Sequence, residues 1–189
     1  HQLILSKIKL SFPLAIINIG GISNITYVEN EKKIVSFDTG PGNYLIDEWV
    51  KSNSELEFDN KGLLAKSGKL DENILKKFLN NHYYKQKIPK SLDVRDFTLS
   101  GLNKLSLEDG CNTLSMLTVT SICKAINNFS KTPNKILFSG GGRKNEFIIN
   151  NIKKMINKPV HLIDEFNFNG DFIESQAFAF LAIRSYLNK

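Results

Sequence analysis

Arginine is scarce in this chain of 189 residues. The formal charge is +6, yet only three of the 25 basic residues are arginine: Arg95, Arg143 and Arg184. Base readout and bidentate phosphate grips favour arginine. The lysines are scattered among asparagines and isoleucines, so the charge reads as a bias of composition and a nucleic-acid partner is not expected. Long apolar runs are lacking as well. The longest, Ala177 to Ile183, has seven residues, against the roughly 20 that a membrane-spanning helix needs. The two cysteines, Cys111 and Cys123, form no CxxC and have no histidine pair beside them. They support neither a zinc site nor a disulfide framework and read as reduced, buried thiols of a cytoplasmic protein. The three histidines, His1, His82 and His161, stand apart, so no metal site or triad can be assembled on them. The chain opens on His1 without a basic-then-apolar leader, and is expected to have been processed or cut from something longer. What is present is ordinary globular composition, 41% hydrophobic and 23% charged.

The apolar pattern changes period along the chain. Leu14 to Ile19 predicts a buried strand, Ile22 to Val28 a second, and Ile34 to Phe37 a third after the polar turn Asn30-Glu31-Lys32-Lys33. Short turns between them predict an antiparallel meander. Leu45, Ile46, Trp49 and Val50 then repeat at helical spacing. Further helices are expected over Asp59 to Lys66, over Ile74 to Leu79 with Asp71 as N-cap, over Glu108 to Phe129, over Asn145 to Ile156 and over Glu174 to Leu187. Strands are expected at Lys135 to Phe138 and Val160 to Ile163, while Tyr83 to Phe97, with Pro89 in its middle, reads as irregular. The fold class is α/β, with antiparallel strands followed by helix-strand-helix units in one lobe.

Three glycine clusters end predicted strands: Gly20-Gly21, Gly40-Pro41-Gly42 and Gly140-Gly141-Gly142. Glycine allows positive φ and lets a ligand approach backbone amides closely. Two clusters run into helices, whose first N–H groups are expected to face a bound anion. None has the spacing of a Walker or dinucleotide motif. Each alone suits a tight turn, whereas three at strand ends in one lobe point to a nucleotide or phosphate. Asp38, before the second cluster, suits a general base or a metal ligand, or it caps its own turn. Asp47 shares a helix face with Asn43 and reads as a solvated carboxylate. Glu174 sits at a helix start, where the dipole favours it. Lys90, Ser91, Asp93 and Arg95 form a polar group in the irregular segment, placed to line a cleft or to sit on a surface loop.

Taken together, the segments resemble the anhydro-N-acetylmuramic acid kinase family. The likeness rests on Ile17-Asn-Ile-Gly-Gly-Ile-Ser-Asn-Ile-Thr26, on Phe37-Asp-Thr-Gly-Pro-Gly-Asn43, on Pro89-Lys-Ser, on Thr113-Leu114 with Leu117-Thr118, on Ser139-Gly-Gly-Gly142 with Asn145, and on Glu174 with Ala177-Phe-Ala179. It implies an actin-like ATPase lobe of ribonuclease-H-like topology. It also implies an ATP- and Mg²⁺-dependent enzyme of cell-wall recycling that converts 1,6-anhydro-N-acetylmuramic acid, with water, to N-acetylmuramic acid 6-phosphate and ADP. Asp38 matches the catalytic base. Asn43, Lys90 and Ser91 would lie on the sugar side. Gly20 and Gly21 match a phosphate-contacting turn, and Gly140, Gly141, Gly142 and Asn145 a turn at the adenosine end. The family's N-terminal glycine-rich phosphate loop has no counterpart here. Residues 1–189 are therefore expected to form the C-terminal lobe of a two-lobed kinase, with the other lobe supplied elsewhere or with a homodimer formed. Two other readings stand beside it: a nucleotide-binding lobe without sugar chemistry, and a remnant that folds but binds nothing.

Overall fold

The computed structural model describes residues 12–166 and residue 170. The elements are β1 (Leu14–Ile19), β2 (Ile22–Asn30), β3 (Lys33–Pro41), α1 (Tyr44–Asn53), α2 (Leu63–Ser67), α3 (Glu72–Leu79), α4 (Leu107–Asn127), β4 (Lys135–Ser139), α5 (Glu146–Ile156) and β5 (Val160–Leu162). The strands form one sheet in the order β3-β2-β1-β4-β5. β1, wholly buried, is central; it pairs antiparallel with β2 and parallel with β4. β2 pairs antiparallel with β3, and β4 parallel with β5. Hence β1, β3, β4 and β5 run one way and β2 the other, so the C-terminal ends of β1, β3 and β4 meet at one end of the sheet. That topology gathers the three glycine clusters, which lie far apart in sequence.

Helices pack on one face of the sheet and bury its side chains there. Ala15, Ile17, Ile19, Ile25 and Phe37 of the sheet join Trp49 of α1 and Leu114, Leu117 and Ile122 of α4 in a single core. α4 starts where Ser106 caps it, its hydroxyl accepting the Asp109 amide at 3.1 Å. The Trp49 indole donates to the Leu107 carbonyl at 2.9 Å and fixes α1 against the start of α4. Asp71 caps α3 through Ile74 N–H at 2.9 Å, as its sequence position predicts. α5 ends at Asn157, whose φ of 46° is the left-handed conformation common after helices. Cys111 and Cys123 are buried free thiols, and burial pushes both pKa values up, to about 12 and about 11.

Some elements depart from expectation. β3 runs to Pro41 instead of ending at Phe37, because Ile22 and Ser23 continue the ladder with Pro41 and Gly40. Between the pairs Asn24–Asp38 and Ser23–Gly40 the register shifts, leaving Thr39 as the extra residue of a bulge. Asp38 therefore lies inside a strand, not at its end. The helix expected over Asp59 to Lys66 is split: a 3-10 turn, Asn60–Gly62, precedes α2, with Gly62 at φ 75°. The closing helix expected from Glu174 to Leu187 lies outside the described residues. Among the described residues, no helix is long and apolar enough to cross a membrane.

Candidate active site

β3 is an edge strand, and the irregular chain from Tyr83 to Leu92 runs along its open side. The Asp38 amide donates to the Lys90 carbonyl at 3.0 Å. In return the Leu92 amide donates to Asp38 Oδ2 at 2.8 Å. One carboxylate oxygen is thus tied down while Oδ1 is left for other work. Phe37 faces the helical core, so strand alternation turns the half-buried Asp38 away from it. Asp38 lines a cavity of about 420 Å³ with Asn24, Ser36, Phe37, Pro89, Lys90 and Ser91. The Lys90 ammonium donates to the Tyr83 carbonyl at 2.9 Å and sits 4.2 Å from the centre of the Tyr83 ring. Burial pushes its pKa down. Asp93 and Arg95, by contrast, pair with each other on the surface at 2.6 Å, with Arg95 87% exposed, and take no part in this cavity.

A second cavity, about 480 Å³, lies between α1, the Glu57–Lys61 segment and the turn after β4. Asn43, Asp47, Gly141, Gly142 and Asn145 line it, together with Ile46, Phe58 and three lysines. Asp47 is not the solvated carboxylate that its helical position suggests. Burial pushes it up to about 6, with Lys51 opposing the shift and Asp59 adding to it. Asp59 is itself buried and spent on capping α2, accepting the Leu64 and Ala65 amides at 2.8 and 3.0 Å. Asn145 caps α5 through the Ile148 amide at 3.1 Å.

The turns beneath these cavities are held closely. The Gly42, Asn43 and Tyr44 amides donate to the Gly20 and Gly21 carbonyls at 2.8, 2.8 and 3.1 Å. The amides of Gly42, Asn43 and the first helical residue, Tyr44, are therefore taken up by the β1–β2 turn, and the first internal bond of α1 is that of the Asp47 amide to the Asn43 carbonyl at 2.8 Å. Gly42 must be glycine: a Cβ there would stand 2.3 Å from the Gly20 carbonyl oxygen. Thr118 Oγ1 lies 3.0 and 2.9 Å from the Pro41 and Gly42 carbonyl oxygens, anchoring the same turn to α4. After β4, Gly140 takes φ 79° and its backbone crowds Asn18 and Ile19. Gly141, in contrast, is exposed, and a Cβ there would meet nothing within 4 Å. This part of the turn is open to a ligand, and its amide and that of Gly142 precede the first internal bond of the turn, Arg143 N–H to Gly140 C=O at 3.2 Å.

Three residues that shape the site carry no motif in the sequence. Arg143, 6% exposed, grips Asp164 through Nε at 2.6 Å and Nη2 at 2.9 Å, and donates from Nη1 to the Gly140 carbonyl at 2.9 Å. It ties the glycine turn to the chain after β5. Tyr83, 1% exposed, donates its hydroxyl to the Asp38 carbonyl. The Tyr84 hydroxyl meets Ser121 Oγ at 2.6 Å beneath Gly40. The site residues expected from sequence therefore fall into three groups. Asp38, Lys90 and Ser91 share the first cavity; Asn43, Gly141, Gly142 and Asn145 share the second; Gly20, Gly21 and Gly140 brace the turns. Asn43 is set apart from Lys90 and Ser91. Among the described residues, no group of three or more His, Cys, Asp or Glu side chains is placed to hold a metal.

A sheet of order 3-2-1-4-5, its first three strands antiparallel and its glycine turns gathered at one end, has the topology of an actin-like fold. The fold of a ligand-bound xylulose kinase from Lactobacillus acidophilus agrees: TM-score 0.51 at 12% identity, over 79% of this chain and 35% of that one. The family model "Anhydro-N-acetylmuramic acid kinase" matches residues 1–188, and the chain belongs to that family. Curated relatives from several bacteria bear its name. The one from Pelagibacter ubique is 41% identical, over 100% of this chain and 53% of its own length. The one from Zymomonas mobilis is 38% identical, over 96% of this chain and 50% of its own. The chain thus spans about half the length of the curated relatives it matches.

Proposed function

We propose that this chain supplies one lobe of an ATP-dependent kinase that opens 1,6-anhydro-N-acetylmuramic acid with water and phosphorylates O6, giving N-acetylmuramic acid 6-phosphate and ADP. The observation that carries the reading is a half-anchored carboxylate, Asp38, at a cavity of sugar size in a chain of this family. Asp38 Oδ1 takes a proton from a water; that water's oxygen bonds to the anomeric carbon as the bond from the anomeric carbon to O6 breaks. The freed O6 is then the phosphoryl acceptor. Lys90 and Ser91 line the same cavity and orient the sugar.

Nucleotide belongs to the second cavity. Its residues fit the adenosine end: an open turn at Gly141, apolar Ile46 and Phe58, and polar Asn43 and Asp47. ATP, when bound, supplies the phosphoryl group, with Mg²⁺ neutralising its charge. The other half of the family's length would close the cleft, and the enzyme would work in the cytoplasm. The chain's half-length coverage favours a second reading for the lobe by itself, namely nucleotide binding without sugar turnover.

ADP release, with and without the anhydro sugar, tests both. The full-length enzyme carrying this segment should release ADP only with the sugar. Asp38→Asn should lower that rate by about 10² to 10⁴ while ATP still binds. Full activity of the variant would sink the base assignment, and sugar-independent release would favour the second reading.

A further inference from the structure

Asp38, Tyr83 and Lys90 close a ring of hydrogen bonds. The Tyr83 hydroxyl donates to the Asp38 carbonyl. The Lys90 ammonium donates to the Tyr83 carbonyl at 2.9 Å. The Asp38 amide donates to the Lys90 carbonyl at 3.0 Å. Two residues beyond Lys90, the Leu92 amide holds Asp38 Oδ2 at 2.8 Å. The direction of the carboxylate is therefore decided by where the 90–92 segment lies. That segment belongs to no helix or strand; this ring joins it to β3, and the Leu92 side chain, buried in the core, anchors its far end.

Tyr83 is the fixed point of the ring. Its side chain is buried, with Tyr84 and Phe97 edge-on at 5.5 and 6.2 Å between ring centres. Asn81 caps the turn that bears it, accepting the Tyr83 amide at 2.8 Å. Burial, with the charge of Asp38 adding to it, raises the phenol's pKa above its ordinary value, which keeps the hydroxyl a donor. The Lys90 ammonium lies over the same ring and near that of Tyr84, at 4.2 and 5.5 Å, so the lysine is held by both the carbonyl and the ring face.

We infer that Tyr83 is a positioning residue for Asp38. Through the ring it sets the Leu92 amide on Oδ2 and leaves Oδ1 aimed at the substrate water. The inference rests on Asp38 being the base. A base must stand within hydrogen-bond reach of the proton it takes, and a misplacement of about 1 Å can cost on the order of 10²-fold in rate.

The test uses the full-length enzyme and three variants: Tyr83→Phe, which keeps the aromatic packing and deletes one O–H; Lys90→Met, which opens the ring at another bond; and Asp38→Asn. Tyr83→Phe should lower kcat about 10-fold or more and leave the KM for ATP and the thermal midpoint of the nucleotide-bound enzyme nearly unchanged. Lys90→Met, which also removes a side chain lining the sugar cavity, should lower kcat at least as much, and the two together should lose little more than Lys90→Met alone. Added to Asp38→Asn, Tyr83→Phe should cost nothing further in residual sugar-dependent ADP release. A merely structural tyrosine would lower both backgrounds alike, and that result overturns the inference. Wild-type kcat in Tyr83→Phe, with Asp38→Asn inactive, overturns it while leaving the base assignment standing. Wild-type kcat in Asp38→Asn removes the base assignment and the inference with it.

Discussion

The two cavities are built by opposite means. Around Asp38 the shape comes from hydrogen bonds laid across an edge strand by an irregular segment, with Leu92, Lys90 and Tyr83 each touching the aspartate's backbone or side chain. Around Gly141 it comes from atoms left out: glycines where a Cβ would strike the neighbouring turn, and one where it would strike nothing. The acids differ in the same sense. Asp38 receives a backbone amide at 2.8 Å, whereas Asp47 is pushed up to about 6, chiefly by burial. A reacting centre needs a group aimed in one direction, and the first construction supplies that. A binding pocket needs room and exposed amides, and the second supplies those.

The steric side of this contrast should break most sharply at Gly42. The three atoms nearest to a Cβ there belong to backbone, at 2.3 to 3.1 Å, so no rotamer change can relieve the clash. Gly42→Ala should cost about 2–3 kcal/mol, the upper range of overpacking. It should also loosen the join between the β1–β2 turn and α1 on which both cavities rest. Urea denaturation reads the loss; a midpoint within error of the wild type would mean that the turn is not held as tightly as its three amide bonds suggest. Next in size is Arg143→Met. It deletes both bonds to Asp164 and the one to Gly140, but leaves behind an aspartate that is 45% exposed and can be hydrated. The expected cost is about 1.5–3 kcal/mol, the range for hydrogen bonds to charged groups. Nucleotide affinity should fall while the Asp38 side stays as it was. An equal loss on both sides would erase the distinction between the cavities.

Sequence periodicity makes much of this fold legible. β1, α1, α3, α4, β4 and α5 lie close to where apolar spacing and caps put them, because each is decided by its own residues and by one core. β3 is misjudged because its last residues, Asp38 to Pro41, look like a turn and become strand only through pairing with β2. The glycine clusters are visible locally, but their meeting depends on strand directions that no single segment reveals. Tyr83 and Arg143 are illegible for the same reason: their partners lie 45 and 21 residues away. Nothing in their own neighbourhood marks either as more than an aromatic or a surface cation. Asp47 is misread because a helical position tells which face a side chain takes and not what later covers that face.

Asp47 offers the smallest effect and the finest distinction. Folded, the carboxyl keeps its proton up to about pH 6, while in the unfolded chain it releases it near its ordinary value of 3.8. Between those values the folded state binds more protons. Its stability therefore falls as pH rises from about 4 through about 6 and is level beyond, on this group's account. An asparagine in its place would have no such proton to lose. Asp47→Asn should thus match the wild type near pH 4 and become more stable by about 1 kcal/mol at pH 7, a figure well below the full linkage value because the half-buried side chain is screened by solvent. Urea midpoints at pH 4, 5.5 and 7 for both proteins measure the divergence. If the two curves stay parallel, burial is not what sets Asp47 apart, and the contrast with the amide-anchored carboxylate of Asp38 must be sought in geometry alone.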